Sequence, residues 1–369
     1  MRLIDARERT AAIGAPMRNA AIAFDAMSAS AVALVTDQGV TGYAFDSIGR
    51  YGKGALLRER FFPRLLAAPP DSLLDRHGVI DPPACARAAM ANEKPGGHGE
   101  RPGAVGLIEA AAWDLRAKIE RLPLWRSLAD YYSTRDAGAS IRVYASCGHF
   151  RDDRLLAGEV ACARDAGYAC VKIKVAGTLE DRERIVALAG GGPLAIDVNG
   201  ALAPQIAQRW FAAMAEFRLA WIEEPAPPLD YELTRRYAEL TPAPLATGEN
   251  LFSYDDARNL LRYGGLRRER DLLQFDPLLS YGVAEYVRIL ELCAGWARRQ
   301  FLPHAGHLFA AHCVAGLGLG MAEAAPEATL PYGGYWDGVR VQDGCVKIPD
   351  LPGVGYEAKA NLFALLEHR

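Results

Sequence analysis

The sequence predicts an α/β protein, a parallel (β/α) barrel joined to a smaller α+β block. Three observations point there. From about Arg142 onward, short apolar runs alternate with helix-like stretches: "ACVKIKV", "LAIDVNG", "AWIEEP", "LATGEN", "LLQFD" and "FLPHAGH". That is the pattern of repeated βαβ units. Each run ends in a residue able to do chemistry, in order Lys174, Asp197, Glu223, Glu249, Asp276 and His304, at intervals of 23 to 28 residues. A (β/α)₈ barrel spends roughly 30 residues per unit and gathers its site from the carboxyl ends of successive strands. A doubly wound open sheet concentrates its site at one switch point and does not recruit six strand ends in a row.

The remaining elements follow in chain order. Roughly the first 65 residues alternate strand-like runs, "SAVALVT" and "VTGYAFD", with turn residues such as "DQG". Helical stretches follow around "LLRERFFPRLLAA" and "GLIEAAAWDLRAKI". Between these helices "NEKPGGHGERPG" is too polar and too rich in glycine and proline for regular structure, so it reads as a loop. Beyond about Leu330 the chain is short and turn-rich, and it is expected to fold back on the N-terminal block.

Composition narrows the classes. A net charge of −3, with no basic tail or like-charge block, gives no electrostatic reason for a nucleic-acid or anionic-membrane partner. The opening "MRLIDARERT" lacks the apolar core of a signal peptide, and no run approaches the ~20 apolar residues of a spanning helix. A soluble, cytoplasmic protein is expected. The seven cysteines include no Cys-x-x-Cys pair and an odd one out, so reduced, mostly buried thiols are expected.

Asp197, Glu223 and Glu249 come from neighbouring strand ends, so their carboxylates should converge on one side of the barrel mouth. Any one of them alone reads better as a strand-end carboxylate that caps a helix or pairs with an arginine. Three in phase repel unless a cation sits between them, and all-oxygen ligation favours Mg²⁺. Glu224 falls on the opposite face of its strand, while Asn199 shares the face of Asp197 and can hydrogen-bond a ligand oxygen.

The same periodicity bears on "VKIK". Residues two apart in a strand share a face, so Lys172 and Lys174 project together, which is unfavourable without a nearby anion. The carboxylate cluster and a bound acid supply that anion, making Lys172 an electrostatic clamp. Partial burial and the neighbouring cation are expected to lower the Lys174 pKa toward the range of a general base. His304 follows Asp276 by one barrel unit, and an Asp–His hydrogen bond would fix the tautomer of the imidazole. A zinc site at His304, His307 and His312 lacks a matching Cys or Glu, and "GLGLGM" has Met321 where a dinucleotide fingerprint needs glycine.

The order "KIK", "DVN", "EEP", "GEN", "QFD", "PHAGH" resembles the enolase superfamily, mandelate racemase subgroup, across the whole barrel. "GRYGKG", "NEKPGGHGER" and "LPGVGYE" resemble the dehydratases of small hydroxy diacids such as tartrate. The resemblance implies a modified (β/α)₇β-type TIM barrel over residues 131–330. It also implies an α+β capping domain over 1–130, and a C-terminal segment, 331–369, that returns to the cap. It implies Mg²⁺ on Asp197, Glu223 and Glu249, Lys174 as base, Lys172 as carboxylate contact, and His304 with Asp276 as acid. Asn19, Arg50 and Lys94 would hold the far end of the substrate, with Asn199 beside the metal. Asp46 and Ile48 stand where those dehydratases carry asparagines.

The activity so implied is removal of water from a small hydroxy diacid or acid sugar to give a 2-keto acid, by α-proton abstraction through an enediolate. Two other readings stay open: a racemase or epimerase using the same groups, and a non-catalytic sugar-acid binding protein on the same barrel. A homo-oligomer is expected from the family.

Overall fold

The computed structural model describes residues 1–15, 17–19, 22–48, 50–96, 99–148, 152–304, 306–325 and 332–367. Three strands, β1 (Leu3–Ala12), β2 (Ser28–Thr36) and β3 (Thr41–Phe45), form an antiparallel sheet in the order β1-β2-β3. The "DQG" turn closes β2 on β3 with Gly39 at φ +76, a left-handed conformation that costs glycine little. Five helices follow: α1 (Gly54–Leu56), α2 (Phe62–Ala67), α3 (Pro82–Ala89), α4 (Arg101–Glu120) and α5 (Leu124–Tyr132).

Helix α4 is buried from Pro102 to Ala117, so it shows no polar face. It lies between the cap sheet and the barrel, and two glycines permit both contacts. A Cβ on Gly42 of β3 would meet the Ala111 carbonyl oxygen of α4 at 2.2 Å, and one on Gly106 of α4 would meet the Leu278 carbonyl oxygen at 1.7 Å. Glu109, also on α4, accepts the Ala284 N–H at 3.1 Å, next to the N-terminus of a barrel helix.

The barrel strands are β4 (Ser140–Cys147), β5 (Val171–Lys174), β6 (Leu194–Asp197), β7 (Ile222–Glu223), β8 (Leu245–Thr247), β9 (Leu272–Leu273) and β10 (Met321–Ala324). They are parallel and ordered β10-β4-β5-β6-β7-β8-β9. Residues 301–302 take the position between β9 and β10. Phe301 bridges Leu273, the Leu302 N–H donates to the Leu273 carbonyl at 2.9 Å, and the Gly320 N–H donates to the Phe301 carbonyl at 3.0 Å. The ring is thus closed by eight strand positions.

Helices α6 (Asp153–Asp165), α7 (Asp181–Leu188), α8 (Ala207–Met214), α9 (Tyr231–Leu240), α10 (Tyr254–Tyr263), α11 (Val283–Leu292) and α12 (Leu308–Leu317) connect them. Seven helices between eight strand positions is the (β/α)₇β arrangement. The apolar runs of the sequence are continuous because these strands are covered on both faces; β5 and β6 are buried at every position.

The C-terminal part divides between the two bodies. Strand β11 (Cys345–Lys347) pairs antiparallel with β4 of the barrel. Helix α13 (Ala360–Leu366) reaches the cap, where Phe363 meets Tyr43 edge to face at 5.6 Å. The segment meets the N-terminal block at several points, Tyr332 packing on Phe45 and the Val354 N–H donating to Asp114 of α4 at 2.7 Å before α13 is reached, with a barrel strand pairing on the way. All seven cysteines are free, and no described helix is long and apolar enough to cross a membrane.

Candidate active site

Strand register brings the charged residues together. Lys174 of β5 pairs with Asp197 of β6, and Asp197 pairs with Glu223 of β7. Glu249 lies two residues past β8, after Gly248 at φ +125, where a Cβ would press on Phe275 at 3.1 Å. One oxygen from each of Asp197, Glu223 and Glu249 lies within 4.8 Å of the others, and all three residues are buried. Glu249 Oε2 is buried and has no hydrogen-bond partner. A buried carboxylate oxygen without a hydrogen-bond donor, among three acids, fits a hard divalent cation.

The two lysines lie within this cluster. Lys172 Nζ donates to Glu223 Oε1 at 2.5 Å and lies 2.9 Å from Glu323 Oε1 and 3.8 Å from Asp197 Oδ2. Lys174 Nζ donates to Asp197 Oδ2 at 2.5 Å. Burial is the largest influence on Lys174 and opposes its charge, but the carboxylates of Asp197, Glu249 and Glu223 together outweigh it and hold the ammonium above its ordinary range. This corrects the sequence expectation of a lowered pKa, which counted Lys172 as a neighbour and did not foresee Asp197 in contact. With Asp197 engaged by a cation, Lys174 loses its main acidic partner and its burial works toward the free amine.

Each ligand has its own supports. Glu223 Oε2 accepts from Trp221 Nε1 at 3.0 Å and Gln274 Nε2 at 2.7 Å, while burial pushes the carboxyl above its usual range. The Asn199 N–H and side-chain amide donate to Asp197 at 3.0 and 3.3 Å, so Asn199 holds the ligand and leaves its buried Oδ1 without a hydrogen-bond partner. Asn250 Nδ2 donates to both oxygens of Glu224 at 2.8 and 3.0 Å. Glu224 has φ +37, and this backbone turn brings its side chain to the cavity wall.

His304 Nδ1 is 3.3 Å from Asp276 Oδ2, and its Nε2 is 3.6 Å from Glu249 Oε2. Asp276 also accepts the Leu278 and Leu279 N–H groups at 2.7 and 3.1 Å. Burial would raise the Asp276 pKa, yet the imidazoles of His304 and His307 hold it well below the usual carboxylate range. An ionised Asp276 can only accept, so Nδ1 of His304 carries the proton and Nε2 faces the acids. His307 Nδ1 instead accepts the Ala310 N–H at 3.0 Å, capping α12.

A cavity of about 220 Å³ joins these groups. Lys174, Asn199, Glu224, Glu249, Asn250, His304 and Glu323 line its barrel side, and Asn19, Ile48 and Arg50 belong to its cap side. Strand β5 and the strand position before His304 lie three places apart around the ring, so Lys174 and His304 approach from across the mouth. Arg50 donates to Asn250 Oδ1 at 2.5 Å and lies 3.8 Å from Glu249 Oε1. Asn19 Oδ1 accepts the Ile22 N–H at 2.7 Å.

Lys94 is not brought to the site. Its neighbour Glu93 is held by Arg60, Arg64 and Arg101, with Arg64 Nη1 at 2.8 Å, and Lys94 itself is exposed outside the cavity lining. Of the two departures from the dehydratases, Ile48 lines the cavity while Asp46 is buried in an ion pair with Lys53 at 2.7 Å. Sequence reasoning missed Glu323, Asn250 and Ser146 in the lining.

Such a ring, with carboxylates gathered on neighbouring strands and ionisable groups facing each other across the mouth, is a (β/α)₇β barrel whose mouth carries a candidate site for a divalent cation. The chain belongs to the enolase superfamily: the enolase C-terminal domain-like family matches residues 156–362. It is 31% identical over 281 residues to the o-succinylbenzoate synthase of Geobacillus kaustophilus, covering 71% of each chain. It is also 31% identical over 209 residues to the L-talarate/galactarate dehydratase of Salmonella typhimurium, covering 54% of this chain and half of that enzyme. Among solved structures, a racemase from Streptomyces coelicolor with bound magnesium superposes with a TM-score of 0.77 at 24% identity, covering 96% of each chain. The Salmonella dehydratase also gives 0.77, at 23% identity, covering 95% of this chain and 87% of that one. At these identities the superpositions establish the shared fold.

Proposed function

We propose that the chain is a Mg²⁺-dependent hydro-lyase that removes water from an acid sugar or a small hydroxy diacid of the tartrate type. The observation that carries this reading is the placement of Lys174 and His304 from across the barrel mouth on one cavity, with Glu249 of the carboxylate triad in its lining and Asp197 and Glu223 buried beside it. A dehydration needs a base for the α-proton and an acid for the departing β-hydroxyl, and these two groups fill both roles.

The α-proton of a carboxylate is too weakly acidic for an unaided side chain. Asp197, Glu223 and Glu249 would hold Mg²⁺, which would supply positive charge where the carboxylate oxygens become more negative. Lys172 adds a fixed ammonium on the same side. Lys174, as the free amine, accepts the α-proton. The bond from the β-carbon to its hydroxyl oxygen then breaks as His304, held as the imidazolium by the Glu249 and Asp276 carboxylates against burial, delivers its Nε2 proton to that oxygen and keeps the Nδ1 proton, and water leaves. The resulting enol tautomerises to a 2-keto acid. Asn19 and Arg50 take the far end of the substrate, where a second carboxylate needs donors.

The talarate/galactarate dehydratase among the relatives supports acid-sugar chemistry on this scaffold. A racemase is the second reading, because groups on opposite sides of one carbon can also exchange a single proton, and a solved racemase shares the fold. A turnover screen of hydroxy diacids and acid sugars with Mg²⁺ separates the two. Keto acid trapped as its semicarbazone is the expected result. Deuterium entering the substrate with inversion and no keto acid would establish racemisation, and binding without either would leave only a binding protein.

A further inference from the structure

Ser47 is fully buried in the segment that leaves β3 of the cap, and its hydroxyl donates to Asp276 Oδ2 at 2.6 Å. That is the same oxygen that His304 Nδ1 approaches at 3.3 Å. A carboxylate oxygen has two lone-pair directions, so the serine occupies one and leaves the other to the imidazole. The remaining oxygen, Oδ1, already accepts two backbone N–H groups. Every side of Asp276 is thereby specified, one of them by a residue 229 positions away in another structural body.

The cap holds Ser47 in turn. Its neighbour Asp46 is buried, accepts Lys53 Nζ at 2.7 and 2.9 Å, and accepts the Ser30 N–H at 3.3 Å. The Lys53 N–H donates to Ser30 Oγ at 2.8 Å, so both ends of the 46–53 segment are tied to β2. On the other side of Ser47, Ile48 lines the cavity. The dipeptide Ser47-Ile48 therefore joins the substrate cavity to the carboxylate that orients His304.

From this geometry we infer that Ser47 is a positioning residue, which sets the rotamer of Asp276 and through it the ring of His304, so that delivery of the acid proton depends on the cap being seated. Ser47 does not line the cavity and has no contact with substrate to lose. This inference rests on the hydro-lyase reading for its kinetic consequence and on the hydrogen bond alone for its structural one.

Full-length protein in Mg²⁺ is compared with Ser47→Ala and Ser47→Thr. Two readouts are used: kinetics of elimination against α-proton exchange in D₂O, and the imidazole N–H resonances of ¹⁵N-histidine-labelled protein, with His304 assigned through His304→Asn. In Ser47→Ala, kcat for elimination should fall about 10- to 100-fold with KM within about 3-fold, while exchange by Lys174 persists. The His304 Nδ1–H resonance should shift or vanish, and Ser47→Thr, which keeps the hydroxyl, should recover both. An unchanged resonance in Ser47→Ala overturns the inference, as does an equal loss of exchange and elimination. If no acid is turned over by the parent protein, the hydro-lyase reading fails, and the resonance comparison still decides the role of Ser47.

Discussion

Lys172 Nζ sits 2.9 Å from Glu323 Oε1 at the end of β10, and both side chains are buried. The lysine is shared, since Glu223 holds it from the other side at 2.5 Å. Glu323 lines the cavity, whereas Glu223 belongs to the triad and lies outside the lining. Replacing Glu323 by Gln should therefore disturb substrate and leave the metal ligands in place. We expect kcat/KM to fall at least about 10-fold, as for loss of one partner of a buried charged pair, with Mg²⁺ affinity changed less than about 3-fold. Steady-state kinetics and calorimetric Mg²⁺ titration measure the two. A parallel collapse of both would mean that Glu323 belongs to the metal site.

The opposite separation is expected at Glu249. Its Oε2 has no hydrogen-bond partner and its Oε1 accepts from the Asn250 side chain at 3.3 Å, a contact glutamine can keep, so Glu249→Gln should fold normally by circular dichroism. Mg²⁺ affinity and turnover should both drop by about 10-fold or more, because one ligand charge is gone. Full activity in that variant, or in EDTA, would remove the metal from the reaction.

The barrel and the triad were legible because strand ends recur at a nearly constant interval and the residue there faces the mouth. Glu323 broke that rule. The step from His304 to Glu323 is 19 residues, because only three residues separate His304 from α12 and three separate α12 from β10. Ser47 and Asn250 carry no periodic signal, since their roles arise from contacts with residues far off in sequence or on the next strand. Lys94 misled for a related reason: a glycine-flanked lysine reads as mobile and able to reach inward, while three arginines on Glu93 fix the start of its segment elsewhere.

Two buried groups at the seam between cap and barrel make stability depend on pH in opposite senses. Burial pushes Glu109 from 4.5 up to about 8 and pulls His312 from 6.5 down to about 3. His312 accepts the Trp125 N–H at Nδ1, 3.0 Å away, and its Nε2 lies 3.1 Å from the Val354 carbonyl, so the native ring is neutral. Between pH 8 and 4.5 the folded chain keeps a proton on Glu109 that the unfolded chain releases, and stability falls as pH rises. Between 3 and 6.5 the unfolded chain binds a proton on His312 that the folded one excludes, and stability falls as pH drops. The two effects cancel from about 4.5 to 6.5, leaving Glu109 dominant above that window and His312 below it, each with a slope of about 1.4 kcal/mol per pH unit. Urea unfolding of Glu109→Gln should show the decline between pH 6.5 and 8 reduced by about 1.4 kcal/mol per pH unit, the share of buried Glu223 remaining. An unaltered slope in that variant would rule out Glu109 as its source.

The division of labour between base and acid can be read from one isotope. Lys174 reaches the cavity from β5 and His304 from the far side, so in the hydro-lyase reading only Lys174 removes the α-proton. Lys174→Ala should abolish exchange of that proton with D₂O and abolish product together. His304→Asn keeps the amine and the carboxylate triad, so elimination should stop while slow exchange continues, because the carbanion formed by Lys174 has no acid to expel its hydroxyl and returns by picking up deuterium. Mass spectrometry of recovered substrate distinguishes the two variants. Equal exchange in both would mean the roles are reversed or shared, and shared exchange accompanied by inversion at the α-carbon is what a racemase on the same residues would give.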